Sequence, residues 1–401
     1  MKKSIFIIST LLLLVLLTIF PVKKNRAIPA FARKYRISCQ TCHSPAIPKL
    51  KPYGDQFALD GFRIADQPTP RYFIKTGDDK LSLLRDLPLA VRFDGHMSYN
   101  FGDEARQDFG APFGIKLLSG GELSDKLSYY FYFFINEKGE VAGVEDAFVM
   151  YNSLFNSGLD FYLGQFQVSD PLYKRELRLT FEDYNIYTVA PGTSTIDLKY
   201  DRGIMLDYSL PTGTGITVEI INGNGIGEAD AKLLFDRDKY KNVLAKISQS
   251  IGDNIELGVF GYLGKESIPE ANTEAVNTVN MIGPNLTFNL LEKLEFNFQY
   301  VYRTDSEILI PATTVLRDEI ETQGGFGEIV FSPNGDRSKW YMVGLVNYID
   351  SDLDYLDYKS TTIHAGYLYR RNVRLVGEYT WDFSAENNQF GRASVGIITA
   401  F

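Results

Sequence analysis

The sequence predicts an all-β chain: an antiparallel transmembrane β-barrel of about 16 strands behind a small N-terminal segment with a paired-cysteine motif. Three observations lead there. From about Leu87 onward the chain falls into stretches that alternate apolar and polar side chains, the period of a strand with two unlike faces. Connections between the stretches alternate between brief and long, as they do between the two rims of an outer-membrane barrel. After the first residues no apolar run approaches the ~20 residues of a membrane helix, so a chain held in a bilayer must close a barrel. Composition agrees. The 401 residues include 25 Tyr, 28 Phe and 34 Gly but only 2 Cys, which suits strands and turns better than helical bundles. A formal net charge of −9 argues against a nucleic-acid partner.

The first element is a targeting segment. Lys2 and Lys3 precede an apolar run from Ile5 to Phe20, the order of a secretory signal. Residues 1–27 are read as that signal, cleaved after Ala27, although Ala30-Phe31-Ala32 offers a second site of better chemistry. An uncleaved anchor is the alternative, because Lys23, Lys24 and Arg26 follow the run. On either reading the rest of the chain leaves the cytoplasm.

Residues 28–75 form the second element. Cys39-Gln40-Thr41-Cys42-His43 is the C-x-x-C-H pattern of covalent haem attachment. Two thiols three positions apart can add to the two vinyl groups of one haem, and the adjacent imidazole is then held beneath the iron. The expected cofactor is therefore one covalent haem c on Cys39 and Cys42, with His43 as a metal ligand. A thioredoxin-like site would need a βαβ context that Pro45, Pro48 and Pro52 do not offer. A structural zinc site needs four ligands, and no second Cys pair exists. A labile disulfide between the two thiols is a further alternative. The segment contains no Met and no second His, so a sixth ligand of either kind must come from the remainder of the chain.

The barrel, residues 87–401, is the third element. Its strands are expected near 87–100, 110–122, 126–136, 142–152, 157–168, 199–210, 214–223, 240–251, 254–265, 276–290, 293–304, 320–332, 338–350, 358–370, 372–383 and 388–401. Leu127 to Ile135 and Leu294 to Tyr300 show the alternation well. The brief connections are Leu123 to Lys126, Pro211 to Gly213, Gly252 to Asn254, Leu291 to Lys293 and Arg371-Asn372, while 169–198, 224–239 and 305–319 are long. A soluble sandwich or β-helix is the competing architecture. It gives no reason for Phe401 to end an alternating strand, a feature resembling the C-terminal aromatic signal of bacterial outer-membrane barrels.

Strand parity assigns faces. His96 shares its side with Arg92 and Asp94 and is expected in the lumen, with Met97 towards lipid. His364 is expected inward, between outward Ile363 and Ala365. Of the two, His96 lies on the strand nearest the haem segment in sequence and is the expected sixth metal ligand.

Ile28 to Tyr35, the motif Cys39 to His43, the run Pro48 to Phe57, and Gly61-Phe62 resemble the N-terminus of the fused monohaem cytochrome–porins. The best-known members of that family are outer-membrane iron oxidases. They pair a single-haem segment, in which a Phe-Ala-Arg stretch precedes C-x-x-C-H, with a porin of about 16 strands. The resemblance implies that Cys39, Cys42 and His43 hold the haem. It also implies electron transfer across a bacterial outer membrane, with extracellular Fe(II) as donor and a periplasmic carrier such as a soluble cytochrome as acceptor. Arg33-Lys34-Tyr35 departs from the Arg-Gln-Thr usual in iron-oxidase members, so the resemblance bears less on iron than on electron transfer. The alternative is a diffusion porin with a redox or sensory haem segment.

Other patterns carry less. Asp350, Asp352, Asp354 and Asp357 could gather a divalent cation, but they lack the glycine and final glutamate of an EF-hand loop. Gly223 to Gly227 has no βαβ unit around it, which disfavours phosphate binding. The charged run Glu176 to Asp183 could fold inward as a constriction. No Ser-His-Asp or Cys-His catalytic set is apparent.

Overall fold

A computed structural model describes residues 30–64, 73–101, 106–236, 238–268, 275–310, 315–384 and 390–401; the targeting segment lies outside them. Sixteen strands form one closed antiparallel barrel. In chain order they are β1 (Leu89–Phe101), β2 (Arg106–Glu122), β3 (Leu127–Glu137), β4 (Gly143–Leu154), β5 (Leu159–Gln167), β6 (Tyr200–Ser209), β7 (Thr214–Ile221) and β8 (Asn242–Ile251). There follow β9 (Ile255–Ser267), β10 (Val276–Leu290), β11 (Leu294–Ile310), β12 (Val315–Phe331), β13 (Trp340–Ser351), β14 (Tyr358–Arg370), β15 (Val373–Asp382) and β16 (Phe390–Ala400). Each pairs with its neighbour in sequence, and β16 returns to β1. Val91 and Phe401 exchange both backbone hydrogen bonds at that seam, at 2.7 and 2.8 Å. The rim that holds the start of β1 and the end of β16 is called the lower rim here.

Every expected strand is present. The main departure is the stretch 305–319, expected as a loop. There β11 and β12 run on as a paired hairpin, with Glu307 opposite Asp318 and Ile308 opposite Arg317. Apolar residues continue on both arms, Ile308 to Ile310 and Val315-Leu316, and Ile308 packs against Ile320 and Leu353, which supports the ladder beyond the expected strand ends. Lower-rim turns are tight: Gly213 closes one with φ +80°, and Leu291 and Glu292 both take φ near +55°, the left-handed pair of a two-residue hairpin.

The alternation becomes two surfaces. Leu257, Leu263, Ile282, Phe298, Val346 and Ile363 stand exposed on the outside, while Asn297, Gln299, Arg303, Asp305, Thr362 and His364 are buried inside. Trp340 and Tyr367 face each other near the lower rim, and Tyr348 and Trp381 lie towards the upper one. An apolar band between aromatic girdles is a surface that lipid covers and water does not.

The lumen is filled from above by the chain between β5 and β6. Residues 168–199 fold inward and pack Val168, Leu172, Tyr184, Ile186, Tyr187, Ile196 and Leu198 against lumen-facing Phe260, Tyr262, Val279, Val301 and Phe326. Tyr184 stacks on Phe326 with ring centres 4.0 Å apart. Polar wall residues fix the loop backbone. Arg303 donates to the Val189 and Ile196 carbonyls, Glu266 accepts from Thr195 N, and Glu378 accepts from Phe181 N and Glu182 N. The inward fold suggested by the charged run is therefore present, with Glu176 bonded to Lys116 at 2.6 Å.

Ile363 sits near the middle of β14 on the outer face. Replacing it by Arg should lower barrel stability by about 2–4 kcal/mol, measured by urea unfolding in lipid vesicles; an unchanged midpoint would contradict this orientation of the strand.

Candidate functional site

Below the inward loop, residues 30–64 occupy the lower mouth of the barrel. Two short helices frame them, α1 (Ala30–Tyr35) and α2 (Pro52–Leu59), with a 3₁₀ turn at Cys39–Thr41 between them. Pro52 opens α2, where a missing N–H costs nothing. An aromatic cluster holds the segment together: Phe31 stacks on Phe62 at 5.1 Å and meets Phe57 edge-on, and the Tyr35 hydroxyl donates to the Phe62 carbonyl.

The C-x-x-C-H motif is wound on itself. Cys42 N and His43 N both donate to the Cys39 carbonyl, and Lys51 N donates to the Cys42 carbonyl. This turn puts Cys39, Cys42 and His43 on one side of a cavity. The thiols are free rather than joined, and burial pushes both up from the usual thiol range. His43 Nδ1 lies 3.1 Å from the Pro48 and Lys49 carbonyls. Both are acceptors, so Nδ1 carries the hydrogen and Nε2 is left with a free lone pair. Burial lowers the imidazole below its ordinary range, which keeps it neutral, as a metal ligand must be. A backbone acceptor on the far nitrogen is also how ligating histidines are oriented.

The cavity measures about 300 Å³ and lies between the segment and the barrel wall. Leu50, Phe57 and Phe62 face it from the segment, and Val91, Leu118, Tyr130, Phe148, Tyr162 and Met205 from the wall. Asp170, Lys174, Glu176 and Leu177 of the inward loop roof it, and Arg92 and Lys116 bring positive charge. An apolar slot with two thiols and a free imidazole nitrogen on one side, and cations nearby, fits haem c. Cys39 and Cys42 would hold it and His43 would ligate it; Arg92, Lys116 and Lys174 border the cavity while paired with Asp94, Glu176 and Asp170.

Ion pairs tie the segment to the wall. Lys34 meets Glu122 at 2.6 Å, Lys51 meets Asp336 at 2.6 Å, and Lys49 lies 2.7 Å from Glu295 and 3.9 Å from Glu328. Burial works against the Lys49 charge, yet the two carboxylates hold its ammonium well above the usual lysine range. Asn152 donates to the Leu59 carbonyl, and Tyr130 stacks on Phe62 at 5.2 Å.

The structure does not bring His96 to this cavity. Its ring packs between Phe113 and Phe181, at 4.6 and 4.7 Å. The cavity meets β1 at Ala90, Val91 and Arg92, and four further residues of strand raise His96 by roughly 13 Å. It does face the lumen, as parity required, beside Ser394 and Ile398 on the neighbouring strand. His364 also faces inward, donating to Glu378 at 3.0 Å. In the aspartate loop Asp352 accepts from Glu321 N of the neighbouring strand and Asp357 from Ser351 N. No metal-holding group of three His, Cys, Asp or Glu occurs among the described residues.

No family model matches the chain, and no curated protein does. Solved structures do, and three of them, each at low identity, are representative. The anion-selective porin from Comamonas acidovorans is 14% identical with a TM-score of 0.56, covering 79% of this chain and 99% of that one. The outer-membrane channel DcaP of Acinetobacter baumannii is 13% identical at 0.57, with 79% and 97% covered. Salmonella typhi OmpF is 11% identical at 0.56, again with 79% and 97% covered. The likeness is one of fold: a porin-like barrel of sixteen strands.

Gly54 approaches the attachment turn so closely that a Cβ there would lie 2.3 Å from the Cys42 carbonyl oxygen. Gly54→Ala should displace α2 at a cost of about 1–3 kcal/mol. With haem c attached at this turn as the motif leads one to expect, the variant should carry less of it on a haem-stained gel without altering the barrel's heat-dependent migration.

Proposed function

We propose that this chain is a bacterial outer-membrane barrel that carries one haem c and conducts electrons between the cell exterior and the periplasm. The observation that carries the reading is the position of the C-x-x-C-H turn. It borders an apolar cavity inside a lumen that the chain's own loop fills from above. The resemblance of the N-terminal segment to the cytochrome–porins supports it independently. The apolar outer band and the porin-like fold support placement in an outer membrane, with the lower rim towards the periplasm.

Bound in this cavity, haem c would supply a one-electron couple. The residues of the chain do the rest. Cys39 and Cys42 fix the cofactor covalently, and the carbonyls of Pro48 and Lys49 aim the His43 ring. Phe57, Phe62, Tyr130 and Phe148 exclude water, which raises the influence of nearby charge. Lys34, Lys49 and Lys51 tether the segment in the lower mouth, within reach of a periplasmic carrier such as a soluble cytochrome. Fe(II) outside the cell is the leading donor.

A second reading is a diffusion porin whose haem segment serves a redox or sensory role. The likeness of the barrel to known channels favours it. Conductance separates the two. A conduit filled by residues 168–199 should give planar bilayers a much smaller conductance than an open porin of sixteen strands. Arg303→Ala removes the donor to the Val189 and Ile196 carbonyls and should raise that conductance by loosening the loop. A wide, steady pore in the unmodified protein would overturn the conduit reading.

Stopped-flow mixing of haem-loaded protein with Fe(II) tests the donor. Reduction within seconds is expected, and Cys39→Ala with Cys42→Ala should leave no covalent haem to reduce. No reduction on that timescale removes Fe(II) as donor.

A further inference from the structure

We infer that Met205 is the second axial ligand of the haem iron, opposite His43. The inference rests on the haem reading above and supplies the ligand that the attachment motif leaves unassigned.

Elimination comes first. Among the described residues, His43 and Met205 are the only His or Met side chains that border the cavity. His96 is held between Phe113 and Phe181 higher in the lumen. His364 is engaged with Glu378 and does not border the cavity. Met150 and Met281 point inward and share a packed cluster with Met205, but neither borders the cavity, and Met342 stands on the outer face.

Chemistry narrows it further. Two other donors at the cavity, Lys116 and Lys174, are committed to Glu176 and Asp170. Ligation by either would require losing the proton and leaving a buried carboxylate without its cation, which is costly. The Tyr132 hydroxyl donates to Glu176, and a phenol would also have to ionise against an ordinary value near 10. A thioether needs no deprotonation and has no competing hydrogen bond to surrender. It is a soft donor of the kind found with His on cytochrome iron, where it raises the potential.

Placement supports the same residue. Met205 is paired on both sides, with Tyr162 of β5 and Glu219 of β7, so its backbone is fixed by two ladders. Its side chain has three rotatable bonds with which to adjust the sulfur. It also breaks the pattern of its strand: Asp201, Gly203 and Asp207 share its parity, while Ile204 and Leu206 point outward. An apolar thioether on the lumen side of a strand, bordering the same cavity as Cys39, Cys42 and His43, is a donor an iron bound there could use.

The test uses the full chain purified with its haem. The oxidised protein should show a low-spin spectrum with the weak near-infrared sulfur-to-iron charge-transfer band. Met205→Leu should lose the band, turn high-spin and fall in reduction potential. Met205→His should stay low-spin without the band, and His96→Ala should change none of these. Heat-dependent gel migration verifies that each variant is folded. Covalent haem without the band in the unmodified protein, or a Met205→Leu spectrum that retains it, would overturn the assignment and leave the haem reading standing. A chain that acquires no haem in a host competent for c-type maturation would overturn both. Should Met205→Leu fail to fold, the unmodified protein's spectrum and the His96→Ala spectrum still decide.

Discussion

The seam where β16 meets β1 is the constraint on which the rest of the structure depends. A strand edge in lipid would leave a row of backbone groups without partners, so the sheet has to close. Val91 and Phe401 complete that closure, and the ladder then runs unbroken around sixteen strands. Closure at this strand number has a consequence. Barrels of this size leave a wide lumen, and something must occupy it if the wall is not to line open water. Here the chain fills it twice, with residues 168–199 from above and residues 30–64 from below.

Both insertions are held by charged or polar wall residues, and both carry charged groups of their own. A buried carboxylate or guanidinium is costly unless it is paired and hydrogen-bonded. Arg303 forks onto Asp305 and also takes two loop carbonyls. Glu378 meets two loop amides and His364. Glu295 and Glu328 receive Lys49. At these points wall and insert satisfy each other, and the cavity beside the C-x-x-C-H turn lies between the segment, the wall and the inward loop.

Much of this was legible because a barrel strand encodes its two environments residue by residue. The strand set, the inward parity of His96 and His364, and the rim at which connections are short all follow from period and length. The hairpin at 305–319 was not, because Ile308 to Ile310 and Val315-Leu316 are consecutive apolar runs without the alternation that marks a two-faced strand. The sixth-ligand expectation went to His96 through nearness in sequence. In a closed barrel, however, every strand borders the same lumen, and β6 reaches the cavity as readily as β1. Met205 did carry a signal, a methionine on the polar parity of its strand, but Met150 and Met281 carry it too. Choosing among them needed the third dimension. The same holds for Lys49 and Lys51, whose partners lie more than two hundred residues away.

The sequence by itself determined an all-β chain with a closed barrel and a C-x-x-C-H motif ahead of it, because alternation, turn length and motif spacing are local patterns that local chemistry can read. Only the tertiary structure decided that residues 168–199 fill the lumen, that the attachment turn lies in the lower mouth, and that Met205 rather than His96 borders the cavity. Those outcomes depend on which wall residues the closure brings opposite one another, and closure is a property of the whole sheet.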